Sequence, residues 1–177
     1  MVKLLLEQPN INGSEYGKKE GWTTQWTPLL LASYNGYVDI VKQMLSYPTF
    51  KRLINQESVP YSTTPLIDAA HNNHYEVVLE LLRVPGIDIN NARQYEGLTA
   101  LDKAVADGDV KLVGILLRCN KTDITIKKNE WSKTSLERAK YKKEEATKEE
   151  EIKRYDDIIK LFESRAAGQT LPGGAKC

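Results

Sequence analysis

A four-residue phrase recurs along this chain and constrains its fold more than any other feature. It reads Thr27-Pro28-Leu29-Leu30, Thr64-Pro65-Leu66-Ile67, Thr99-Ala100-Leu101-Asp102 and Thr134-Ser135-Leu136-Glu137, at offsets of 37, 35 and 35 residues. Self-similarity at such a period marks stacked supersecondary repeats, each burying against its neighbours. After the phrase come Ala32-Ser33, then Asn35-Gly36-Tyr37, then Val38, Ile40, Val41, Met44 and Leu45. The second copy runs Ala69-Ala70, Asn73-His74-Tyr75, then Val77, Val78, Leu81 and Leu82. The third runs Ala104-Val105, Asp107-Gly108-Asp109, then Val110, Leu112, Val113, Leu116 and Leu117.

The apolar residues beyond each turn fall at helical spacing. Threonine before proline opens a helix well, because its hydroxyl caps free backbone N–H groups and proline at the first position forfeits no bond. Gly36 and Gly108 sit where a short helix stops and reverses, a place for left-handed backbone. Alanines let paired helices approach closely. Pro48, Pro85-Gly86 and Asn90-Asn91 read as turn formers in the connecting loops. The repeating unit is thus predicted to be helix, tight turn, helix and loop.

This pattern resembles the ankyrin repeat, whose phrase is Thr-Pro-Leu-His-x-Ala. The resemblance spans Val2 to Phe162 and implies an all-α ankyrin-repeat solenoid. The family's histidine is replaced by Leu30, Ile67, Asp102 and Glu137, so its polar link is not carried over. The boundaries expected are a partial N-terminal repeat at 1–21, full repeats at 22–58, 59–93 and 94–128, a C-terminal capping repeat at 129–165, and a flexible tail at 166–177. Leu5-Leu6 to Pro9 aligns with Leu81-Leu82 to Pro85, so the chain is expected to begin inside a second helix, as a fragment of a longer array or with another segment covering that end. In the last repeat an insertion of 11 residues, about three helical turns, is expected to lengthen both helices. Lys121 to Lys143 is mainly basic and Glu144 to Asp157 mainly acidic, so the two arms should attract when folded back. Glu144–Lys148, Glu149–Lys153 and Glu150–Arg154 have favourable i,i+4 spacing. This region reads as a solvated capping helix pair, with a protruding contact arm as the alternative.

Composition narrows the function. The net charge is +1, which gives no footprint for nucleic acid. No apolar run approaches the ~18 residues of a membrane span. Cys119 and Cys177 do not make a disulfide framework, which suits a reducing cytosol, or a host cytosol for a secreted effector. There is no phosphate loop and no nucleophile elbow. His71 and His74 are the only histidines, and they lack a further ligand for a metal. No enzyme, cofactor or metal site is expected.

What the resemblance implies is a binding surface on the loop tips before each phrase and on the ends of the first helices. Mapped onto this sequence, the tips carry Trp22, Thr23 and Trp26, then Tyr61 and Thr63, then Tyr95 and Leu98, then Trp131 and Lys133. The helix ends carry Tyr34-Asn35, His71-Asn72, Asp107 and Tyr141-Lys142. All three tryptophans fall at tips, and Trp and Tyr dominate interface hot spots. Tyr37, Tyr47 and Tyr75 read as packing or ordinary surface. The leading expectation is a module that binds a protein or peptide. Two alternatives are a targeting arm of a larger enzyme or pathogen effector, docked with other domains of the same protein, and a structural spacer.

Overall fold

The computed structural model describes residues 26–59, 61–92, 97–127, 133–169 and 171. The expected partial repeat at 1–21 lies outside them. The chain divides into two compact units, one reaching Asp88 and the other taking over from Ile89. Among the described residues every regular element is a helix, and one antiparallel bridge joins Ala92 to Thr99.

In the first unit the helices are α1 (Pro28–Tyr34), α2 (Val38–Leu45), α3 (Pro48–Arg52), α4 (Pro65–His71) and α5 (Tyr75–Leu82). In the second they are α6 (Ala100–Ala106), α7 (Val110–Arg118), α8 (Ser135–Glu145) and α9 (Glu149–Ala166). Every phrase threonine opens its helix. The hydroxyls of Thr27, Thr64, Thr99 and Thr134 accept the N–H three residues on, at 3.2, 3.3, 3.1 and 3.2 Å.

The tight turns repeat one hydrogen-bond pattern. Tyr37 N donates to Ala32 O, His74 N to Ala69 O and Asp109 N to Ala104 O, at 3.0, 2.9 and 2.9 Å. This six-residue closure requires a left-handed residue just past the helix. Gly36, Asn73 and Gly108 fill that place with φ of 72°, 58° and 66°. The second copy is therefore shifted by one residue from the sequence reading: Asn73 matches Gly36, and His74 matches Tyr37. Asparagine takes the position because its short polar side chain tolerates left-handed backbone better than other non-glycine residues do.

α1 lies along α4 and α2 along α5; in the second unit α6 lies along α8 and α7 along α9. Ala32, Ala69, Ala70, Ala104 and Ala139 are buried where these helices meet, which permits the close approach. The interhelical core holds Leu29, Leu66, Val77, Leu81, Leu112, Leu116, Ile158 and Phe162.

Two details depart from the sequence reading. Pro48 does not merely turn a loop: it opens α3, whose Phe50 is fully buried. The last helices also break where a charge pair was expected. Glu144 lies in the last turn of α8, which ends at Glu145, and Lys148 caps α9, so they flank a break instead of sharing a helix. An ion pair joins the two helices, Lys143 Nζ to Asp156 Oδ1 at 2.6 Å. α8 and α9 have 11 and 18 residues, against 7 and 9 in α6 and α7. Beyond Gly168, among the described residues, Gln169 N donates to Ser164 O at 2.9 Å and Leu171 is buried.

Candidate protein-interaction surface

Loop placement starts with two asparagines. Asn55 donates from Nδ2 to Gly86 O and accepts at Oδ1 from Asp88 N, both at 2.8 Å. Thirty-five residues on, Asn90 repeats this with Lys121 O and Asp123 N, both at 2.9 Å. One side-chain amide thereby satisfies a donor and an acceptor of the next loop. Thr125 stands at the following position and turns back on its own loop, donating from its hydroxyl to Asp123 Oδ1 at 2.7 Å. The sequence reading saw Asn90 only as a turn former and did not single out Asn55. Their equal spacing to partners in the next copy was the available signal.

The fourth phrase position divides by unit. Leu30 and Ile67 are buried apolar residues. Asp102 and Glu137 instead complete reciprocal capping boxes, accepting from Thr99 N at 3.1 Å and Thr134 N at 2.7 Å. Asp102 also accepts from Ser135 Oγ at 2.7 Å, which ties α6 to α8. A polar link between repeats therefore exists here, made by aspartate at the position where the family's phrase has histidine. The backbone N–H of Thr134 and the Lys127 ammonium hold the Glu137 carboxyl below its ordinary range.

The expected contact residues fall into several groups. Trp26 is half-buried and packs edge-on against Tyr34, with ring centroids 5.1 Å apart and planes at 87°. Tyr34 itself is exposed, as is Leu31 one turn before it. Tyr61 projects from a short loop closed at its base. Ser58 N donates to Thr63 O and Ser62 N to Ser58 O, both at 2.9 Å, with Ser62 left-handed at φ 46°. The tip residues Val59 and Tyr61 are exposed while Ser58 is buried.

Thr63 is not at the surface as expected. It is 1% exposed and donates to Asp68 Oδ1 at 2.7 Å, so it anchors the loop instead of contacting a partner. His71 is exposed at the end of α4. Asn35 and Asn72 cap helix ends, donating from Nδ2 to Leu31 O and Asp68 O at 2.7 and 2.9 Å. His74 is a spacer behind this row: its Nε2 lies 3.0 Å from Tyr34 O, and its ring fills the space a Cβ on Gly36 would need.

The second unit presents different chemistry. Asp107 caps α6 and is held by Lys103 Nζ at 2.5 and 2.6 Å. Lys133 Nζ stands 3.9 Å over the Tyr141 ring, and Tyr141 donates to Glu145 Oε1 at 2.5 Å. That carboxylate pushes the Tyr141 phenol up from its ordinary range. Leu98 is half-buried. Trp22, Thr23, Tyr95 and Trp131 lie outside the described residues.

Sequence reasoning did not single out Leu31 and Val59, exposed at 53% and 47%, and Tyr37, read there as packing or ordinary surface, is 54% exposed. Leu31 carried a signal: it occupies the position filled by Asp68, Lys103 and Arg138 in the other copies.

Comparison with known proteins agrees with this geometry. The family model for ankyrin repeats (three copies) matches residues 1–93 and 47–128. The chain belongs to the ankyrin repeat family. Ankyrin repeats generally serve as protein–protein interaction modules. α8 and α9 lie past the matched residues, although Thr134 still opens α8 as the phrase threonines open the earlier helices. A crystal structure titled as EF0377, an ankyrin repeat protein, aligns with a TM-score of 0.61 at 27% identity over 78% of this chain. The alignment spans 63% of that protein's length. No curated protein sequence matches. Among the described residues no group of three or more His, Cys, Asp or Glu side chains is placed to hold a metal ion, and no helix is long and apolar enough to cross a membrane.

Proposed function

We propose that this ankyrin array binds a protein or peptide through the aromatic surface of its first unit, centred on Trp26, Tyr34 and Tyr61 with Leu31 and His71 beside them. The observation that carries this reading is the uneven distribution of exposed apolar side chains. Among the described residues, the exposed large apolar side chains Leu31, Tyr34, Tyr37, Val59 and Tyr61 lie in the first unit, and Tyr141 alone lies in the second. Clustered aromatic residues at a water interface combine large apolar area with a polar atom, the composition of interface hot spots. By sequence register, Trp22 and Tyr95, and in the second unit Trp131 and Lys133, are assigned to the same kind of surface. No chemistry is assigned to the site: the mechanism is shape and hot-spot complementarity on a fixed scaffold. A reducing cytosol remains the compartment this reading suits.

Affinity capture with wild type, Trp26→Ala and Tyr61→Ala tests the proposal. The variants should fold and lose partners that wild type retains. Equal recovery by all three would instead favour a spacer, and a strong loss of thermal stability would mark both residues as structural.

A further inference from the structure

One ring in each unit reaches back to the preceding copy in the same way. Tyr155 lies within α9, yet it stands three and seven residues before the buried Ile158 and Phe162, as His74 stands before Val77 and Leu81. It therefore holds the His74 position of its copy, and the insertion of 11 residues falls between Tyr141 and Tyr155. Tyr34 and Ala106 are the last residues of α1 and α6. His74 Nε2 lies 3.0 Å from Tyr34 O, and Tyr155 Oη donates to Ala106 O at 3.3 Å. A carbonyl only accepts, so His74 carries a proton on Nε2. Each ring also lies against the left-handed glycine of the preceding turn, Gly36 or Gly108. Carbonyls at a helix end lack a partner within the helix, and a side-chain donor from the next copy supplies one.

Resting on the proposed function above, we infer that His74 is the positioning residue of the Trp26–Tyr34 pair. The ring that meets Trp26 edge-on belongs to the residue whose carbonyl His74 holds. Tyr34 ends a helix of 7 residues, and helix ends fray where nothing fixes them. His74 fixes this end twice, by its hydrogen bond to Tyr34 and by its ring against Gly36 two residues on. Asn35 closes the same end by donating to Leu31 O at 2.7 Å, which leaves the Tyr34 carbonyl to His74. A partner then meets an aromatic pair already in place, and less freedom is lost on docking. Tyr155 gives the same brace to Ala106, which has no ring to aim, so in the second unit the contact serves packing alone.

Acrylamide quenching of Trp26 tests this in the full chain carrying Trp22→Phe and Trp131→Phe, where Trp26 is the one tryptophan. His74→Ala should raise the quenching constant. In the chain with its native tryptophans, His74→Ala should weaken binding of the partner that wild type captures and Trp26→Ala loses, by about three- to tenfold. His74→Phe keeps a ring against Gly36, and with it the fold, but removes the donor; it should move both readouts the same way by less. Should His74→Ala unfold, His74→Phe carries the comparison. His74→Tyr supplies ring and donor as Tyr155 does, and should return both readouts to wild type. Tyr155→Phe should lower the melting temperature and leave both readouts unchanged. Unaltered quenching in His74→Ala and His74→Phe, or no recovery in His74→Tyr, overturns the inference. If quenching responds while His74→Ala keeps the partner that Trp26→Ala loses, His74 does not serve recognition: the inference fails and the surface stands. If Trp26→Ala also retains every captured partner, the surface itself is wrong and the inference falls with it.

Discussion

The two units use the same phrase and turn to build their helix pairs, yet they treat their surfaces in opposite ways. In the first unit the fourth phrase position is Leu30 or Ile67, both buried, and α1 and α4 carry no exposed Asp, Glu, Lys or Arg, although Glu80 of α5 pairs with Lys42 and Arg83 in that same unit. In the second it is Asp102 or Glu137, both in capping boxes. There, ion pairs join Lys103–Asp107, Lys127–Glu137, Lys142–Glu145 and Lys143–Asp156. Exposed ion pairs contribute little to stability, with a median near 0–1 kcal/mol. Their weight here is better read as solubility than as stability. The exposed aromatic area of the first unit has no such rationale. The comparison separates what the repeat requires from what each copy is free to change.

If the cores are equivalent and only the surfaces differ, Phe50→Ala and Phe162→Ala should cost alike. Each side chain is fully buried, one in each unit, and each loss is expected to be about 3–5 kcal/mol in chemical denaturation. A cost near zero for either would mean that its unit is not packed as described. Next in size is Asp102→Ala, which strands Thr99 N and Ser135 Oγ in a buried setting. The expected cost is about 2–3 kcal/mol. Leu30→Ala at the matching position should be of similar size but arise from lost packing, so Leu30→Met would rescue it while Asp102→Met would not.

The turns sharpen the comparison further. A Cβ at Gly36 would lie 2.5 Å from His74 Nδ1, whereas at Gly108 the nearest atom is Tyr155 Oη at 3.5 Å. Both positions are left-handed, so each alanine pays about 1–2 kcal/mol for backbone conformation. Gly36→Ala should cost clearly more than Gly108→Ala, and His74→Ala should remove the difference. Smallest is the effect of Glu137. Its carboxyl is held below the ordinary value of 4.5, so its contribution is complete above that value and fades as pH falls through the lowered one. Glu137→Gln, which can keep the box but not the charge, should be slightly less stable than wild type at neutral pH and lose less stability on acidification.

Helix starts, alanine contacts and the four-copy register were legible because each follows from local chemistry repeated at fixed spacing. The one-residue shift in the second turn was not: asparagine replaces glycine there, and Asn73 is preceded by Asn72, so composition alone cannot say which is left-handed. α3 was missed because a proline followed by four residues reads as a loop until the burial of Phe50 is seen. Thr63 was misplaced for a related reason. A threonine one residue from a cap looks solvent-facing, and only the buried carboxylate of Asp68 shows otherwise. The surface was half legible. The register pointed to Trp26, which is half-buried, and to Tyr34 and Tyr61, which are exposed, while Leu31 required comparing one position across copies.

The most direct test of the account is the binding of captured partner by Leu31→Lys, with its melting temperature taken alongside. Lysine already occupies the equivalent position as Lys103, and Leu31 is 53% exposed, so folding should change by no more than about 0.5 kcal/mol. Placing a charge on α1, which carries none, should weaken partner binding at least tenfold. Wild-type affinity in this variant, or a large loss of stability, would contradict the assignment of that face to recognition.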